Sequence, residues 1–170
     1  KATVFYENLG RARHMAVAPN GDVYVKLEKL KDGNGIYRIT DTNKDGVADN
    51  AIGFGNYIGT GMAIKNGYLY ASSDDGVFRY KMDNGVAATN APETIVKNLW
   101  NRRQHSAKAI TLDDAGNIYV NIGAPSNVCQ VEDRKNASPG ISPCPILDSA
   151  GGIWQFRADQ KDQSYAQGVR

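Results

Sequence analysis

The chain has 170 residues, of which 41% are hydrophobic and 22% charged, a composition typical of a globular protein with a sizeable core. No apolar run approaches the roughly 20 residues needed to cross a bilayer. The formal charge of +2 comes from basic residues scattered along the chain, which predicts no nucleic-acid partner. These features exclude a disordered chain and an integral membrane protein.

Three segments share the pattern of a strand, a tight turn and a second strand. Their first residues, Met15, Met62 and Ala109, lie about 47 residues apart. An alternating segment follows each of them, at 35–39, 76–80 and 152–156, with the period of two that a strand requires. We therefore predict an all-β fold with about three four-stranded β-propeller blades, near residues 11–57, 58–104 and 105–160.

The terminal segment 165–170 is expected to begin a fourth blade. Three units and this fragment do not close a six-bladed ring, so residues 1–170 are predicted to form the N-terminal half of a single propeller domain. The implied partner is the remaining C-terminal half, in the same polypeptide or in a second chain. A four-bladed ring is the alternative, and the early end of the fourth unit disfavours it.

The first blade contains a turn with oxygen-bearing groups at alternate positions. These positions are Asp41, Asn43, Asp45, Val47 and Asp49. With a glycine at position 46, the spacing is that of the start of a calcium-binding loop, although Ile52 stands where the bidentate carboxylate would be. A calcium site and a hairpin rich in Asp, Asn and Gly both fit this pattern.

The third blade is interrupted by an insertion loop at 121–151, which contains both cysteines, Cys129 and Cys144. Two cysteines in such a loop predict a disulfide in an oxidising compartment, and two free thiols are the alternative. Closing a loop of about 15 residues contributes ~3 kcal/mol in the chain-entropy description. Long propeller loops usually lie on one face and carry function.

The loops that enter the first strands of the three units are candidate ligand-binding positions. Arg11, Ile58 and His105 each lie four residues before the equivalent first strand, so they are expected at the mouth of the central channel. Nearby basic residues would make this mouth a cationic pocket for a small polyanion, and solvated loop residues are the alternative that composition alone favours. The full set is Arg11, Arg13, His14, Arg102, Arg103 and His105.

Residues 104–129 read QHSAKAITLDDAGNIYVNIGAPSNVC. This segment resembles the catalytic-histidine region of the soluble pyrroloquinoline quinone (PQQ)-dependent sugar dehydrogenases, in the sorbosone, pyranose and aldose dehydrogenase branch. In that branch a histidine precedes a strand, a turn, a second strand and a Gly-Ala-Pro-x-Asn-x-Cys loop. The terminal segment 165–170 also resembles the family's Gly-x-Arg-Asn segment, whose arginine contacts the quinone.

The resemblance implies a six-bladed propeller that holds PQQ and calcium at the top of its channel and oxidises the C1 hydroxyl or aldehyde of a sugar. His105 would be the general base for the C1 hydroxyl proton while hydride passes to the quinone. Arg170 would pair with a quinone carboxylate, and His14 and Arg13 would add cofactor contacts. Gln104, a further cofactor contact, stands where glucose-oxidising members carry an acid, which argues against glucose as the sugar.

The same resemblance implies a periplasmic or secreted enzyme, with a cytochrome as one candidate for its electron acceptor. The family's calcium-binding backbone would follow Arg170, so residues 1–170 alone are expected to be inactive. Two alternatives stay open. A calcium-dependent lactonase-type hydrolase shares the architecture but needs several carboxylates at the channel mouth, and a non-catalytic propeller would serve as a binding module.

Overall fold

The computed structural model describes residues 2–90, 92–101 and 104–170. Within these residues the regular structure is β-strand and two short 3₁₀ turns, Pro145–Asp148 and Tyr165–Gln167, and no helix is long and apolar enough to cross a membrane. The strands are β1 Ala12–Val17, β2 Val23–Lys31, β3 Asn34–Thr40, β4 Asn50–Phe54, β5 Met62–Lys65, β6 Tyr68–Ser72, β7 Val77–Asp83, β8 Val86–Ala87, β9 Glu93–Lys97, β10 Ile110–Leu112, β11 Asn117–Ile122, β12 Gly152–Arg157 and β13 Gln163–Ser164.

The strands form three sheets that follow one another along the chain. The first is an antiparallel meander, β1-β2-β3-β4. The second runs β5-β6-β7-β9, with β8 paired to β7 and β13 added parallel to β9, and the third joins β10, β11 and β12. The first strands β1, β5 and β10 pack side by side, as the innermost strands of propeller blades do. The predicted all-β, propeller-type fold is confirmed.

Tight turns set the register of these hairpins. Asn66 and Gly67 join β5 to β6 with φ values of 50° and 76°, the pair of positive angles that a two-residue type I′ turn requires. Gly21 and Gly116 close the equivalent turns before β2 and β11, with φ values of 94° and 81°. Because a slip of one residue would turn every side chain to the other face, these turns determine which residues are buried.

Each interface between neighbouring sheets has its own core. Tyr24, Phe54 and Tyr80 pack edge to face between the first and second sheets, with ring centroids 6.3 and 5.2 Å apart. A second cluster, which includes Ile95 and Trp154, fills the space between the second and third sheets. The blades are therefore held together mainly by apolar burial between sheets.

Arg79 adds a polar connection between the second and third sheets. Its Nε lies 2.7 Å from a carboxylate oxygen of Glu93, and its Nη1 donates to the carbonyl of Ala158 over 2.8 Å. The guanidinium also lies over the ring of Tyr68, 4.3 Å from the centroid. The turn after β12 is thereby fixed against the second sheet.

The sequence predicts that the C-terminal segment begins a fourth blade, but in the structure this segment adds to the third sheet. Val169 pairs antiparallel with Gln155 of β12, and the two residues exchange N–H···O bonds of 2.7 and 3.1 Å. This pairing occupies the free edge of the third sheet, which offers unpaired backbone groups. Val169 therefore takes the position of a fourth strand in the third sheet.

Apolar side chains are exposed at both ends of the row of sheets. Met15 and Val17 of β1 are 67% and 63% exposed, and Ile153 and Val169 at the third sheet are 60% and 67% exposed. In a propeller such faces are covered by the next blade.

Candidate functional site

His105 lies just before β10 and has a left-handed backbone, with φ of 46°. Its Nδ1 is 2.7 Å from the carbonyl oxygen of Ala124. Because a carbonyl oxygen can only accept, Nδ1 carries a hydrogen, and in the neutral ring the lone pair is on Nε2. The imidazole is exposed, so Nε2 is in position to accept a proton from a ligand.

His105 lines a cleft of about 680 Å³, here called the His105 cleft. All three sheets and their connections contribute to its wall. The lining residues are Arg13, Glu28, Lys29, Ile58, Gly59, Thr60, Asp74, His105, Ser106, Ala107, Asn121 and Gly123. Of the three positions expected at the channel mouth, Ile58 and His105 line this cleft, and Arg13 joins them in place of Arg11.

The charge in the His105 cleft is mixed, which differs from the cationic pocket that the sequence predicts. Glu28 lies between two guanidinium groups, with nitrogen–oxygen distances of 3.8 Å to both Arg11 and Arg13. Asp74 is a second carboxylate in the wall. Arg102 and Arg103, the remaining predicted basic residues, lie outside the described residues.

His14 and Arg170 are placed away from the His105 cleft. His14 lines a different cavity together with Phe5. Arg13 lies at a register shift in β1 and lines both cavities. The guanidinium of Arg170 lies over the ring of Trp154, 5.4 Å from the centroid, at the third sheet. Both His14 and Arg170 remain predicted quinone contacts, and neither is among the residues that line the His105 cleft.

Gln104, the residue before His105, contacts the insertion loop. Its Nε2 donates to a carboxylate oxygen of Asp133 over 3.0 Å, and its buried Oε1 has no hydrogen-bond partner among the described residues. Hydrogen bonds from Gln104 and Ser126 lower the pKa of the Asp133 carboxyl. An acid from the loop thus lies beside Gln104, a contact between residues 29 positions apart that no local pattern indicates.

Two buried lysines near the His105 cleft are absent from the sequence-based prediction. Lys26 of β2 is fully buried; its Nζ donates to the carbonyl of Tyr57 over 2.6 Å and lies 3.9 Å from the centroid of that ring. Burial lowers the pKa of Lys26 to about 7, against the opposing charge of Asp74. Lys108 is 1% exposed, and its Nζ donates to the carbonyl of Ser106 over 2.5 Å.

Burial also lowers the pKa of Lys108, and the charges of Asp74 and Asp75 oppose this shift. Asp74 therefore acts on both buried ammonium groups and also lines the His105 cleft. Lys26 lies between Val25 and Leu27 in an alternating strand, so its side chain points to the opposite face from theirs. Whether that face is buried depends on which face of the sheet meets the next blade. The sequence alone does not supply that information.

The insertion loop, predicted to begin at residue 121, begins at Gly123, because residues 121 and 122 belong to β11. Within the loop, Cys129 and Cys144 form a disulfide. The predicted pairing of the two cysteines is therefore present. The Ser126 hydroxyl accepts from the backbone N–H of Cys129 over 3.1 Å, and Gly151 at the far end donates to the carbonyl of Ile122 over 2.9 Å. The start of the loop lies at His105 through Ala124, and its end returns to β11 through Gly151.

The turn at 41–49 is exposed and lies between β3 and β4, away from the residues that line the His105 cleft. Asp41 accepts from the N–H groups of Lys44 and Gly46 at 2.7 and 2.8 Å, and Asp49 accepts from the Thr42 hydroxyl at 2.7 Å. Among the described residues no group of three His, Cys, Asp or Glu is arranged to hold a metal ion. The calcium interpretation of this turn stays a prediction.

Comparison with known proteins gives a family and a fold. The sequence profile of a family described as TrAA12-like matches residues 1–160. The chain is similar to the holo form of the pyranose dehydrogenase PQQ domain from Coprinopsis cinerea, with 17% identity and a TM-score of 0.71 over 96% of this chain and 39% of that one. It is also similar to the iodide structure of a Trichoderma reesei carbohydrate-active enzyme of family AA12, with 17% identity and a TM-score of 0.72 over 98% and 41% of the two chains.

No curated protein gives a match. The chain spans about two fifths of the length of the two solved structures. At this level of identity the likeness shows a shared fold.

Proposed function

The chain belongs to the TrAA12-like family, and on that premise we propose that it is part of a quinoprotein oxidoreductase that oxidises the C1 hydroxyl or aldehyde of a sugar, with PQQ as its cofactor. One observation carries this proposal. His105 presents Nε2 in a cleft where three sheets meet, and its Nδ1–H is bound to the carbonyl of Ala124 at 2.7 Å.

His105 acts as the general base in this proposal. Nε2 accepts the proton of the sugar's C1 hydroxyl, and the Ala124 carbonyl stabilises the imidazolium that results by accepting the Nδ1–H bond. Wall groups with hydrogen-bonding capacity, such as Thr60, Ser106 and Asn121, are available to orient the sugar. A positioned base of this kind contributes roughly 10²–10⁴-fold to the rate.

The polar groups of the His105 cleft fit a carboxylated quinone. Arg13 offers a guanidinium that can pair with a carboxylate through two hydrogen bonds, and Lys29 adds a second cation in the same wall. Lys108, buried behind Ser106, adds positive charge close to the cleft. The quinone, when bound, supplies the acceptor for the two electrons that leave the sugar.

Calcium, a cytochrome electron acceptor and an oxidising compartment belong to the same proposal. The Cys129–Cys144 disulfide supports a periplasmic or secreted location, because disulfides persist in oxidising environments. The exposed side chains of Met15 and Val17 support the proposal that another surface covers them, which we assign to the remaining half of the propeller. The sugar itself is left open, and Gln104 still argues against glucose.

The proposal is tested on residues 1–170 together with the C-terminal half that the proposal requires, here called the full-length polypeptide. Apoprotein is mixed with PQQ and calcium, and reduction of an artificial dye is followed with a panel of aldoses. We expect dye reduction with at least one sugar, and a loss of about 10²-fold or more in His105→Gln, with quinone absorbance still retained after gel filtration. Absence of both dye reduction and retained quinone would overturn the proposal.

A lactonase-type hydrolase is the second candidate, because Glu28 and Asp74 place two carboxylates in the same cleft. Such an enzyme would hydrolyse lactones with calcium and without quinone. Lactone hydrolysis by the quinone-free protein, lost in Asp74→Asn, would favour this candidate over the oxidoreductase.

A further inference from the structure

Gly123 and Ala124, the first two residues after β11, both lie against His105 through their backbone. We propose that this pair positions His105 and fixes its tautomer, with hydrogen on Nδ1 and the lone pair on Nε2. The chemical meaning of this role rests on the proposed function, in which Nε2 is the proton acceptor. The positioning itself is a property of the described residues.

The contact at Gly123 leaves no space for a side chain. A Cβ atom added there would lie 2.5 Å from the carbonyl oxygen of His105 and 2.6 Å from its Cβ, distances that real contacts do not reach. The backbone of Gly123 is not in the left-handed region. Glycine is therefore needed here for the close approach to His105, and the backbone angles place no demand on it.

The hydrogen bond at Ala124 depends on this approach. The Ala124 carbonyl follows Gly123 by one residue and accepts from Nδ1 of His105 at 2.7 Å. A displacement of His105 away from Gly123 by the size of a methyl group would break this bond. Without it, neutral histidine is free to carry its hydrogen on either nitrogen.

The His105 backbone shows why such a support is needed. Its φ of 46° lies in a region that residues other than glycine seldom adopt. Such a conformation persists where the surroundings determine it, and it recurs at functional sites. The contact with Gly123 and the bond to Ala124 provide these surroundings.

The support is attached to a rigid element. Gly123 follows β11, the central strand of the third sheet, which pairs with β10 on one side and β12 on the other. Gly151 donates to the carbonyl of Ile122 at 2.9 Å, where the insertion loop returns to the sheet. Gln104 is tied to Asp133 of the same loop at 3.0 Å. Two consecutive residues, 104 and 105, are thus held by one loop.

Imidazole ¹⁵N NMR of the full-length polypeptide tests the tautomer directly. The signal lost in His105→Gln identifies His105. At a pH where the ring is neutral, we expect a pyrrole-like Nδ1 and a pyridine-like Nε2 in the wild type. Gly123→Ala should lose this pattern and give averaged or reversed nitrogen shifts. A wild-type His105 with hydrogen on Nε2 would overturn the proposal, even if Gly123→Ala does not fold.

Gly140→Ala is the matched control, because Gly140 is in the same loop, has no positive φ and has open space around an added Cβ. We expect it to keep the wild-type nitrogen shifts and turnover. In dye assays Gly123→Ala should lower kcat by about 10²-fold with KM and quinone binding little changed. A Gly123→Ala protein with the wild-type tautomer and kcat would also overturn the proposal.

The two readouts separate this inference from the proposed function. If no sugar is oxidised but Gly123→Ala still changes the His105 nitrogens, the positioning stands and the proposed function fails. If sugar is oxidised and the tautomer is unaffected by Gly123→Ala, the positioning fails and the proposed function stands.

Discussion

Asp113 shows how a single carboxylate closes the hairpin that leads away from His105. It accepts from the backbone and side-chain N–H groups of Asn117 at 2.9 and 2.8 Å and from the Tyr119 hydroxyl at 2.8 Å. These hydrogen bonds lower its pKa to about 2, with the Asn117 side chain as the largest cause. A carboxyl whose pKa is lower in the folded state adds stability that is present above its unfolded pKa of about 4 and lost as the pH falls toward 2.

We therefore predict that in Asp113→Ala the stability depends less steeply on pH at acid pH than in the wild type. Thermal unfolding of the full-length polypeptide between pH 2 and 5 measures this slope. Asp114→Ala is the control, since Asp114 is the adjacent carboxylate and pairs with Lys65 at the surface, where ion pairs contribute little. Equal slopes in wild type and Asp113→Ala would contradict the assignment.

Lys26 predicts a pH dependence of the same sign in a higher pH range. Burial lowers its pKa to about 7, whereas in the unfolded chain a lysine titrates near 10.4. Between these values the unfolded state binds more protons, so the free energy of unfolding rises with pH, by at most about 1.4 kcal/mol per pH unit from this lysine. Lys26→Met should therefore show a smaller rise between pH 7 and 9.

Urea unfolding at pH 7, 8 and 9 measures this rise. The exposed Lys29, on the same strand, supplies the control variant Lys29→Met, which should keep the wild-type rise. If Lys26→Met and Lys29→Met have the same slope, the ammonium of Lys26 is not desolvated in the folded protein.

Single residues also show where sequence reasoning ends. His105 is singled out by its place four residues before a strand and by the resemblance of its segment to a catalytic segment, and the structure places it in a cleft where the three sheets meet. Its bond to Ala124, 19 positions away, depends on the return of β11 alongside β10. No local pattern contains that information, and the same holds for the contact of Gln104 with Asp133.

At the scale of elements, period and turn chemistry predict the strands well. The repeats that start at Met15, Met62 and Ala109 correspond to β1, β5 and β10, because glycine turns and alternating apolar residues are local signals. Local signals do not predict the pairing of Val169 with β12 or the parallel addition of β13 to β9. They depend on which sheet edges are left free, and the sequence pattern of the short segments does not reveal this.

The turn at 41–49 is the element whose function is still open. Its side-chain oxygens accept from the N–H groups of the same turn: Asn43 from Asp45 at 3.0 Å and Asp45 from Val47 at 2.8 Å. If the turn binds calcium, the oxygen lone pairs that these hydrogen bonds leave free would coordinate the ion. Binding would be weak because position 52 lacks a carboxylate. Calorimetric titration should then give a small calcium heat that Asp45→Ala removes.

Asn136→Ala, at another exposed loop position, is the control for this titration and should keep the wild-type heat. Equal heats in Asp45→Ala and wild type would leave the turn as a hairpin closed by its own hydrogen bonds.

At the scale of the whole molecule, the exposed apolar side chains of β1 have the clearest consequence. They lie on the outer face of the first sheet, beside a cluster of buried residues that the N-terminal segment covers. Met15 and Val17 lie on β1 on the side opposite Ala16, which packs toward the second sheet, and they are 67% and 63% exposed. Apolar side chains on an unpaired blade face favour association with another surface. Residues 1–170 expressed alone should therefore self-associate and bind a hydrophobic dye, as measured by sedimentation and fluorescence.

The double variant Met15→Lys/Val17→Lys should have opposite effects in residues 1–170 alone and in the full-length polypeptide. In residues 1–170 alone the two charges should reduce self-association. In the full-length polypeptide, where a further blade would bury these positions, the same charges should lower the free energy of unfolding by more than about 2 kcal/mol. Val86→Lys, on the short strand β8, is the control and should be tolerated in both. A full-length protein that tolerates the double variant would show that this face is open to solvent and that the propeller does not continue across it.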